Sequence, residues 1–342
     1  MASKFPQRKI GDDYVSAVGL GCMGMSIAPM LSSGRDDEEV FKTLTKAADL
    51  GITFWDTSDA YGDNEELIGK WFRETGRRDE IFLATKFGIN RTNGQVEVIG
   101  TPEYVAEACL KSLERLGTDR IDLYYQHRVD TTVPIEKTVK AMAQLKVEGK
   151  IRYLGLSECS PATLRRACKV HPIAACQMEY SPFAMEVETT GFLDVARELD
   201  VKIIAYSPLG RGFLTGSIKS RADMDPKDPR LSTYPRFSEE NFAGNLKLVD
   251  IFANVAKEKG CTPGQAALAW VLAQGEDFIP IPGTKRVKYL IENAEAVRVE
   301  FKEDDEKRVR EGLDAVGGAK GSRYPEAFLA SCFADSPDLD EA

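Results

Sequence analysis

The feature that most constrains the fold is a regular alternation of short apolar runs and helical segments. Apolar runs typical of buried strands occur at 18–20, 52–55, 81–85, 121–126, 151–156, 173–177, 201–205 and 278–281. Segments with helical spacing lie between and after them, at 37–50, 64–75, 102–116, 135–148, 161–170, 187–199, 239–259, 263–274 and from about 286 onward. Connections of this length require parallel pairing, with the helices outside the sheet. Eight such units with no sign of a second core predict a closed (β/α)8 barrel, the TIM-barrel fold.

The two ends of the chain add smaller elements to this barrel. Residues 8–10 and 14–18 flank a Gly-Asp-Asp turn, which predicts an N-terminal β-hairpin. A charged helix is expected at about 303–313, followed by a tail that either drapes over the barrel mouth or is partly disordered. We therefore expect a single domain over residues 1–342, with the core in about 8–300 and a C-terminal helix and tail in 301–342.

Composition bears on which partners and compartment to expect. The net charge is −9 and no basic cluster exceeds a few residues, so no nucleic-acid partner is expected. No apolar run approaches the ~18 residues of a membrane span, and the N-terminus lacks the apolar centre of a secretory signal. Seven cysteines without a CxxC pair are typical of free thiols, which favours the cytoplasm. With two histidines no zinc site is expected, whereas composition leaves a carboxylate-bound magnesium ion open.

Four residues suited to proton transfer fall at one predicted edge of the barrel. Asp56, Lys86 and His127 each stand at or just after the end of a predicted strand, and Tyr61 lies in the loop after Asp56. Barrels bind their ligands at this edge. A free phenol has a pKa of about 10, and a nearby ammonium lowers it, so we expect Lys86 to acidify Tyr61. Asp56 would hold Lys86, and His127 would polarise a substrate oxygen. Each residue alone has a structural explanation, such as a loop cap or a rim aromatic, but their joint placement favours catalysis.

Several stretches in a fixed order resemble the aldo-keto reductase family. They are DTSDAYGDNEELIGKW, ATKFG, DLYYQHRVD, GLSECS, QMEYSPF, AYSPLGRGFLTG and IPGTKRVKYLIEN. The resemblance extends from the hairpin to about Val299, and QHRVD and SPLGRGFL are most similar to the branch of auxin-induced and perakine-reductase-like enzymes. It implies a (β/α)8 barrel that binds NADP(H) without a Rossmann domain, with a catalytic tetrad of Asp56, Tyr61, Lys86 and His127.

The resemblance also implies a set of cofactor contacts. Ser157 and Gln177 carry groups that suit the nicotinamide carboxamide, and Tyr206 has a ring that suits stacking on the nicotinamide. Lys285 and Arg286 precede a helix, which suits a 2′-phosphate and favours NADP(H) over NAD(H). The full expected set is Gly21, Met23, Asp56, Ser157, Gln177, Tyr206, Ser207, Leu209, Arg211, Gly283, Lys285, Arg286, Tyr289, Glu292 and Asn293.

Two positions depart from the family's pattern, and two glycines need an interpretation. Many members carry Asn where this chain has Glu158, and some branches place an adenosine-facing Arg where it has Tyr289. The glycines of GLGCMGMS lack the GxGxxG spacing of a dinucleotide fold. We interpret Gly19 as close packing at the barrel rim and Gly21 as a cofactor contact. Arg211, in a Gly-rich loop, is expected to close over the pyrophosphate.

The expected function is NADPH-dependent reduction of an aldehyde or ketone to an alcohol, with the hydride from nicotinamide and the proton from Tyr61. One alternative is an NADP(H)-binding regulatory subunit resembling potassium-channel β-subunits. Another is a barrel hydrolase that uses Asp56 and other carboxylates without a nicotinamide. The partner is expected to be a small-molecule carbonyl substrate, with no membrane involved. Its identity, the reaction direction and the choice between monomer and homo-oligomer stay open. Substrate specificity is expected to lie in the tail and in the rim loops 23–35, 88–100 and 213–238.

Overall fold

The computed structural model of the chain describes residues 5–26, 36–92 and 95–339. Its strands are β1 (Gln7–Ile10), β2 (Asp13–Ser16), β3 (Leu20–Gly21), β4 (Phe54–Asp56), β5 (Phe82–Phe87), β6 (Ile89–Thr92), β7 (Gln95–Val98), β8 (Ile121–Gln126), β9 (Ile151–Ser157), β10 (Ala175–Glu179), β11 (Lys202–Tyr206) and β12 (Phe278–Pro280). Eight strands form one parallel sheet in the order β12-β11-β10-β9-β8-β5-β4-β3. Between its two ends the Gly19 amide donates to the Pro280 carbonyl at 2.9 Å, and Gly21 pairs with Gly283. The sheet therefore closes into the predicted (β/α)8 barrel.

Helices surround this barrel, as the alternating pattern predicted. They are α1 (Asp37–Leu50), α2 (Asn64–Thr75), α3 (Pro102–Leu116), α4 (Ile135–Val147), α5 (Pro161–Val170), α6 (Glu186–Thr189), α7 (Phe192–Glu198), α8 (Pro229–Thr233), α9 (Glu239–Lys259), α10 (Pro263–Ala273), α11 (Val287–Glu295), α12 (Glu303–Ala315) and α13 (Glu326–Leu329). Side-chain caps set several starts; the Ser160 hydroxyl, for example, accepts from the Thr163 amide ahead of Pro161. Within the described ranges, no helix has the length and apolar character needed to span a bilayer.

The barrel interior is filled by side chains and closed at its amino-terminal end by the predicted hairpin, β1–β2. Ile10 and Val15 of this hairpin join the same buried cluster as Phe54 and Ile281 inside the barrel. At Gly19 a Cβ would lie 2.8 Å from the Phe54 ring and 2.9 Å from Ile281. The interpretation of Gly19 as a packing residue is therefore confirmed. Because the hairpin closes the amino-terminal end of the barrel, we expect a site at the carboxyl-terminal end of the strands.

Three local features differ from the sequence-based prediction. The rim segment 88–100 contains an antiparallel hairpin, β6–β7, for which Asn93-Gly94 is a hairpin signal in the sequence. The single helix predicted at 187–199 is wrong, because the chain breaks into α6 and α7 at Gly191, whose φ is 76°. The long loop at 207–238 carries the short helix α8. The part of the predicted specificity loop at 27–35 lies outside the described residues.

The C-terminal segment, defined here as residues 316–339, lies against the mouth of the barrel. Ala334 forms a bridge with Cys159, just beyond β9. The Ser336 hydroxyl accepts from the amide of Ile135, the first residue of α4, at 2.6 Å. Tyr324 places its hydroxyl 3.2 Å from that of Tyr206, at the end of β11. Of the two interpretations of the tail, draping over the mouth therefore describes this segment, while 340–342 lie outside the described residues.

Candidate active site

Parallel pairing brings the four predicted catalytic residues to one end of the barrel. Asp56 is the last residue of β4, Lys86 lies near the end of β5, and His127 directly follows β8. The register pairs Asp56 with Ala84 and Lys86 with Tyr125, so Lys86 lies two residues past the level of Asp56, and His127 lies two residues past the level of Lys86. Because these carboxyl ends meet at the same rim, side chains that are distant in the sequence become neighbours.

Lys86 and Asp56 form a fully buried ion pair. The Lys86 ammonium lies 2.5 Å from Asp56 Oδ1 and donates to the Thr57 carbonyl at 2.7 Å. The other carboxylate oxygen, Oδ2, accepts from Gln177 Nε2 at 2.7 Å. Burial would lower the pKa of Lys86, but attraction to Asp56 and to Tyr61 outweighs it, and the net shift is upward. Lys86 is therefore held as a cation beneath the rim.

Tyr61 lies directly beside this cation. The Lys86 ammonium is 5.1 Å from the centroid of the Tyr61 ring. Burial raises the pKa of Tyr61, and the attraction and hydrogen bonding of Lys86 only partly oppose that rise. The expected acidification is thus present as one contribution, but the expected net lowering is wrong because desolvation of the phenolate is larger. The phenol is protonated at neutral pH, the form that a proton donor needs.

His127 completes the group as a neutral imidazole. Its ring is 5.7 Å from the Tyr61 ring, edge to face. Burial, with the nearby charges of Lys86 and Arg128, holds the pKa of His127 well below its usual range. Nδ1 lies 3.0 Å from the Ser58 hydroxyl, which fixes the orientation of the ring. Sequence reasoning missed Ser58, although its place two residues after Asp56 was a usable signal.

The residues expected around the nicotinamide line the same rim. Ser157 ends β9, and its hydroxyl donates to the carbonyl of Gln177 at 2.9 Å. Gln177 in turn donates to Asp56, so its amide contacts the ion pair of Lys86 and Asp56. Tyr206 ends β11 and its hydroxyl donates to Glu158 at 2.9 Å. The structure therefore brings all three next to the tetrad, with the tyrosine ring at the mouth.

A buried charge network that the sequence did not predict surrounds Tyr206. Glu158 is 0% exposed, and Arg323 of the C-terminal segment binds both its carboxylate oxygens at 2.7 Å. Burial would raise the pKa of Glu158, but Arg323 lowers it below its ordinary value. Arg211 likewise binds both oxygens of the buried Glu179, at 3.0 and 3.1 Å. Arg211, expected at the pyrophosphate, thus has its guanidinium on Glu179 in this structure.

The remaining predicted cofactor residues gather at a second place on the rim. Gly21 and Gly283 form a bridge, and a Cβ at Gly264 would lie 3.7 Å from both Leu209 and Glu292. Gly264 lies at the start of α10, so the loop after β11 and α11 both lie against this point. The other members lie on the same two segments or beside Gly21: Met23, Ser207, Lys285, Arg286, Tyr289 and Asn293.

The start of α11 has the character of an anion site. Arg286 is the N-cap residue and makes no side-chain cap bond, and the first turn contains no acidic residue. The first amides of the helix are thus left without a side-chain acceptor from the cap. Lys285 precedes them, and burial together with Arg286 lowers the pKa of Lys285. Two cations ahead of an uncapped helix suit a phosphate group, as the sequence suggested.

Fold and site together point to a class of protein, the barrel enzymes that carry polar, titratable side chains at the carboxyl ends of their strands. Residues 17–314 match the Aldo/keto reductase family, and the chain belongs to this family. It is therefore an oxidoreductase, and the predicted family and reaction class are confirmed. The family match does not favour the alternative function, a regulatory subunit resembling potassium-channel β-subunits.

Full-length relatives and solved structures agree with this assignment. The chain is 51% identical to aldo-keto reductase str7 of Strobilurus tenacellus, over 98% of this chain and 99% of that protein. It is 49% identical to aldo-keto reductase yakc [NADP(+)] of Schizosaccharomyces pombe, over 98% of each. The structure of a glycerol dehydrogenase from Gluconobacter oxydans superposes with a TM-score of 0.82 at 28% identity, over 94% of this chain and 98% of that one.

Proposed function

We propose that Tyr61 is the proton donor in this enzyme, with Lys86, Asp56 and His127 as its supporting groups. The chain is an NADP-dependent oxidoreductase that reduces an aldehyde or ketone to an alcohol. The observation that carries the assignment is the buried Lys86 ammonium, paired with Asp56 at 2.5 Å and 5.1 Å from the Tyr61 ring centroid. When bound, the reduced nicotinamide supplies the hydride that reaches the carbonyl carbon.

The protein groups act on the oxygen end of the same carbonyl bond. Negative charge builds on that oxygen as the bond is reduced, and Tyr61 releases its proton to it. The phenolate left behind is stabilised by the Lys86 ammonium, which Asp56 holds in place. His127 is neutral and has its Nδ1 oriented by Ser58. A neutral imidazole can donate one hydrogen bond to the carbonyl oxygen, which would orient and polarise it.

For the cofactor, we propose that its two ends occupy the two parts of the rim. Ser157 and Gln177 hold the carboxamide, and Tyr206 carries the nicotinamide ring on its face. Lys285 and Arg286 bind the 2′-phosphate; the uncapped start of α11 supports this because its amides and two cations match an anionic group. We also propose that the enzyme belongs to the auxin-induced and perakine-reductase-like branch and acts in the cytoplasm. The motifs QHRVD and SPLGRGFL and the seven unpaired cysteines support these two points.

The test is Tyr61→Phe, assayed by NADPH oxidation with a panel of aromatic and aliphatic aldehydes. Loss of the acid should lower kcat by at least about 100-fold, since general acid catalysis contributes on that order or more. NADPH affinity, measured by protein fluorescence, should change little. Tyr14→Phe is the matched control, because Tyr14 is 65% exposed on the hairpin at the closed end of the barrel. If Tyr61→Phe keeps normal turnover, Tyr61 is not the acid.

A further inference from the structure

Arg128 is a buried guanidinium beside the catalytic histidine that the assigned chemistry does not use. It follows His127 directly and is 5% exposed. Nη1 donates to the His127 carbonyl at 2.9 Å and lies 3.4 Å from the Ser157 hydroxyl. Nε is buried and has no hydrogen-bond partner, and among the described residues no carboxylate lies within the 4.0 Å of an ion pair. Buried arginines are normally paired, so this charge calls for an explanation.

The buried carboxylates of Glu158 and Glu179 at this rim are already bound by other cations. Glu158 gives both carboxylate oxygens to Arg323. Glu179 gives both to Arg211 and has Arg323 as a further neighbour at 3.4 Å. Because each carboxylate is bound at close range elsewhere, neither forms an ion pair with Arg128. The cation thus lies in the rim without an ion-pair partner of its own among the described residues, and Glu158 acts on it only from a longer distance.

The surroundings of Arg128 place it between the tetrad and the C-terminal segment. Its guanidinium carbon is 5.6 Å from the ring centroid of Phe328, in α13. On the other side its charge acts on the catalytic groups, since it opposes the rise in the pKa of Tyr61 and contributes to the lowered pKa of His127. A substrate carbonyl held by Tyr61 and His127 would therefore lie in the electrostatic field of this guanidinium.

We propose that Arg128 is a specificity-determining residue that binds a carboxylate carried next to the reacting carbonyl, so that the preferred substrates are 2-oxo carboxylates. The inference rests on the proposed function, because it assumes that the carbonyl is reduced at Tyr61. A guanidinium offers planar, paired donors that match a carboxylate, and the match is stronger in a buried setting. A substrate carboxylate also supplies the direct ion-pair partner that Arg128 lacks among the described residues.

The experiment compares phenylglyoxylate with methyl phenylglyoxylate, which share a skeleton and a reacting ketone but differ in charge. Values of kcat/KM are measured with NADPH for the wild type, Arg128→Gln, Arg128→Lys and the control Arg165→Gln, whose guanidinium binds the exposed Glu198. In Arg128→Gln the kcat/KM for phenylglyoxylate should fall by about 10- to 100-fold, the usual contribution of a charge-assisted hydrogen bond. The value for the ester should change less than about threefold. Arg128→Lys should keep part of the preference, as a point charge.

The outcomes separate the competing explanations. Equal losses of kcat/KM on the acid and the ester in Arg128→Gln would overturn the proposal and assign Arg128 to packing. A rise in the KM for NADPH with both substrates would also overturn it and assign Arg128 to cofactor binding. If Arg128→Gln does not fold, inhibition of ester reduction by the wild type decides: benzoate should inhibit at least tenfold better than benzamide, and equal inhibition overturns the proposal. A wild type that reduces neither compound nor simple aldehydes refutes the proposed function itself. Turnover of the ester without preference for the acid refutes only the role of Arg128.

Discussion

The ion pair between Arg323 and Glu158 should be worth far more to this protein than an ordinary surface pair. Arg323 is 4% exposed and Glu158 is 0% exposed, and two bonds of 2.7 Å join them. The pair fastens the C-terminal segment to the end of β9. In Arg323→Met the apolar stem is kept while the charge is removed, so the Glu158 carboxylate stays buried with only the Tyr206 hydroxyl and the Glu179 amide as donors.

The expected cost follows from the loss of a buried counter-charge. Removing one partner of a buried pair destabilises a protein by about 3–5 kcal/mol. The control is Arg308→Met, which also breaks two ion pairs, but Arg308 is half exposed and its loss should cost much less stability. The loss in unfolding free energy caused by Arg323→Met should become smaller as the pH falls from 7 to 5. Arg323 lowers the pKa of Glu158; without it, burial raises that pKa and the carboxylate can take up a proton.

The assay is urea unfolding followed by circular dichroism, applied to Arg323→Met, Glu158→Gln and the double variant. Glu158→Gln removes the charge that Arg323 neutralises, so the double variant should lose much less stability than the two single losses added together. Limited proteolysis of the C-terminal segment would report local detachment if unfolding is not one step. The reasoning would be refuted if the stability loss of the double variant equalled the sum of the two single losses within about 0.5 kcal/mol, because independent sites behave that way. An Arg323→Met cost no larger than that of Arg308→Met would also refute it.

Two further predictions concern a pH effect and the cofactor. Burial and the nearby Glu65 raise the pKa of Asp59 to about 7. Its folded-state pKa is thus above that of the unfolded chain, and its contribution to stability is lost as the pH rises through about 7. Asp59→Asn should therefore raise Tm relative to the wild type at pH 8 and much less at pH 5; equal shifts at both pH values would contradict this. Lys285→Ala should raise the KM for NADPH far more than that for NADH. The control is Lys288→Ala, an exposed lysine within α11, which should change neither KM. Equal effects of Lys285→Ala on the two cofactors would argue against a phosphate contact.

The barrel and its catalytic edge were predictable because both depend on periodicity and on strand ends. Apolar runs separated by crossover-length helices leave few alternatives to parallel pairing. Parallel pairing then decides that Asp56, Lys86 and His127 meet, whatever the detailed register. The hairpin β6–β7 was missed because its strands are half exposed and carry polar residues, although its turn signal was present. The break at Gly191 was missed because the sequence on both sides has ordinary helical character.

The mouth of the barrel was not predictable, because its order arises from charges that are close only in the folded chain. Glu158 was noted as a departure from the family's asparagine, and by itself it gave no partner. Its cation, Arg323, comes from 165 positions later, in a segment for which the sequence favoured no single interpretation. A carboxylate with no exposure needs such a partner to stay ionised. The departure at Glu158 and the placement of the C-terminal segment are thus one structural feature, and because Arg323 binds both oxygens of Glu158, Arg128 has no ion-pair partner among the described residues.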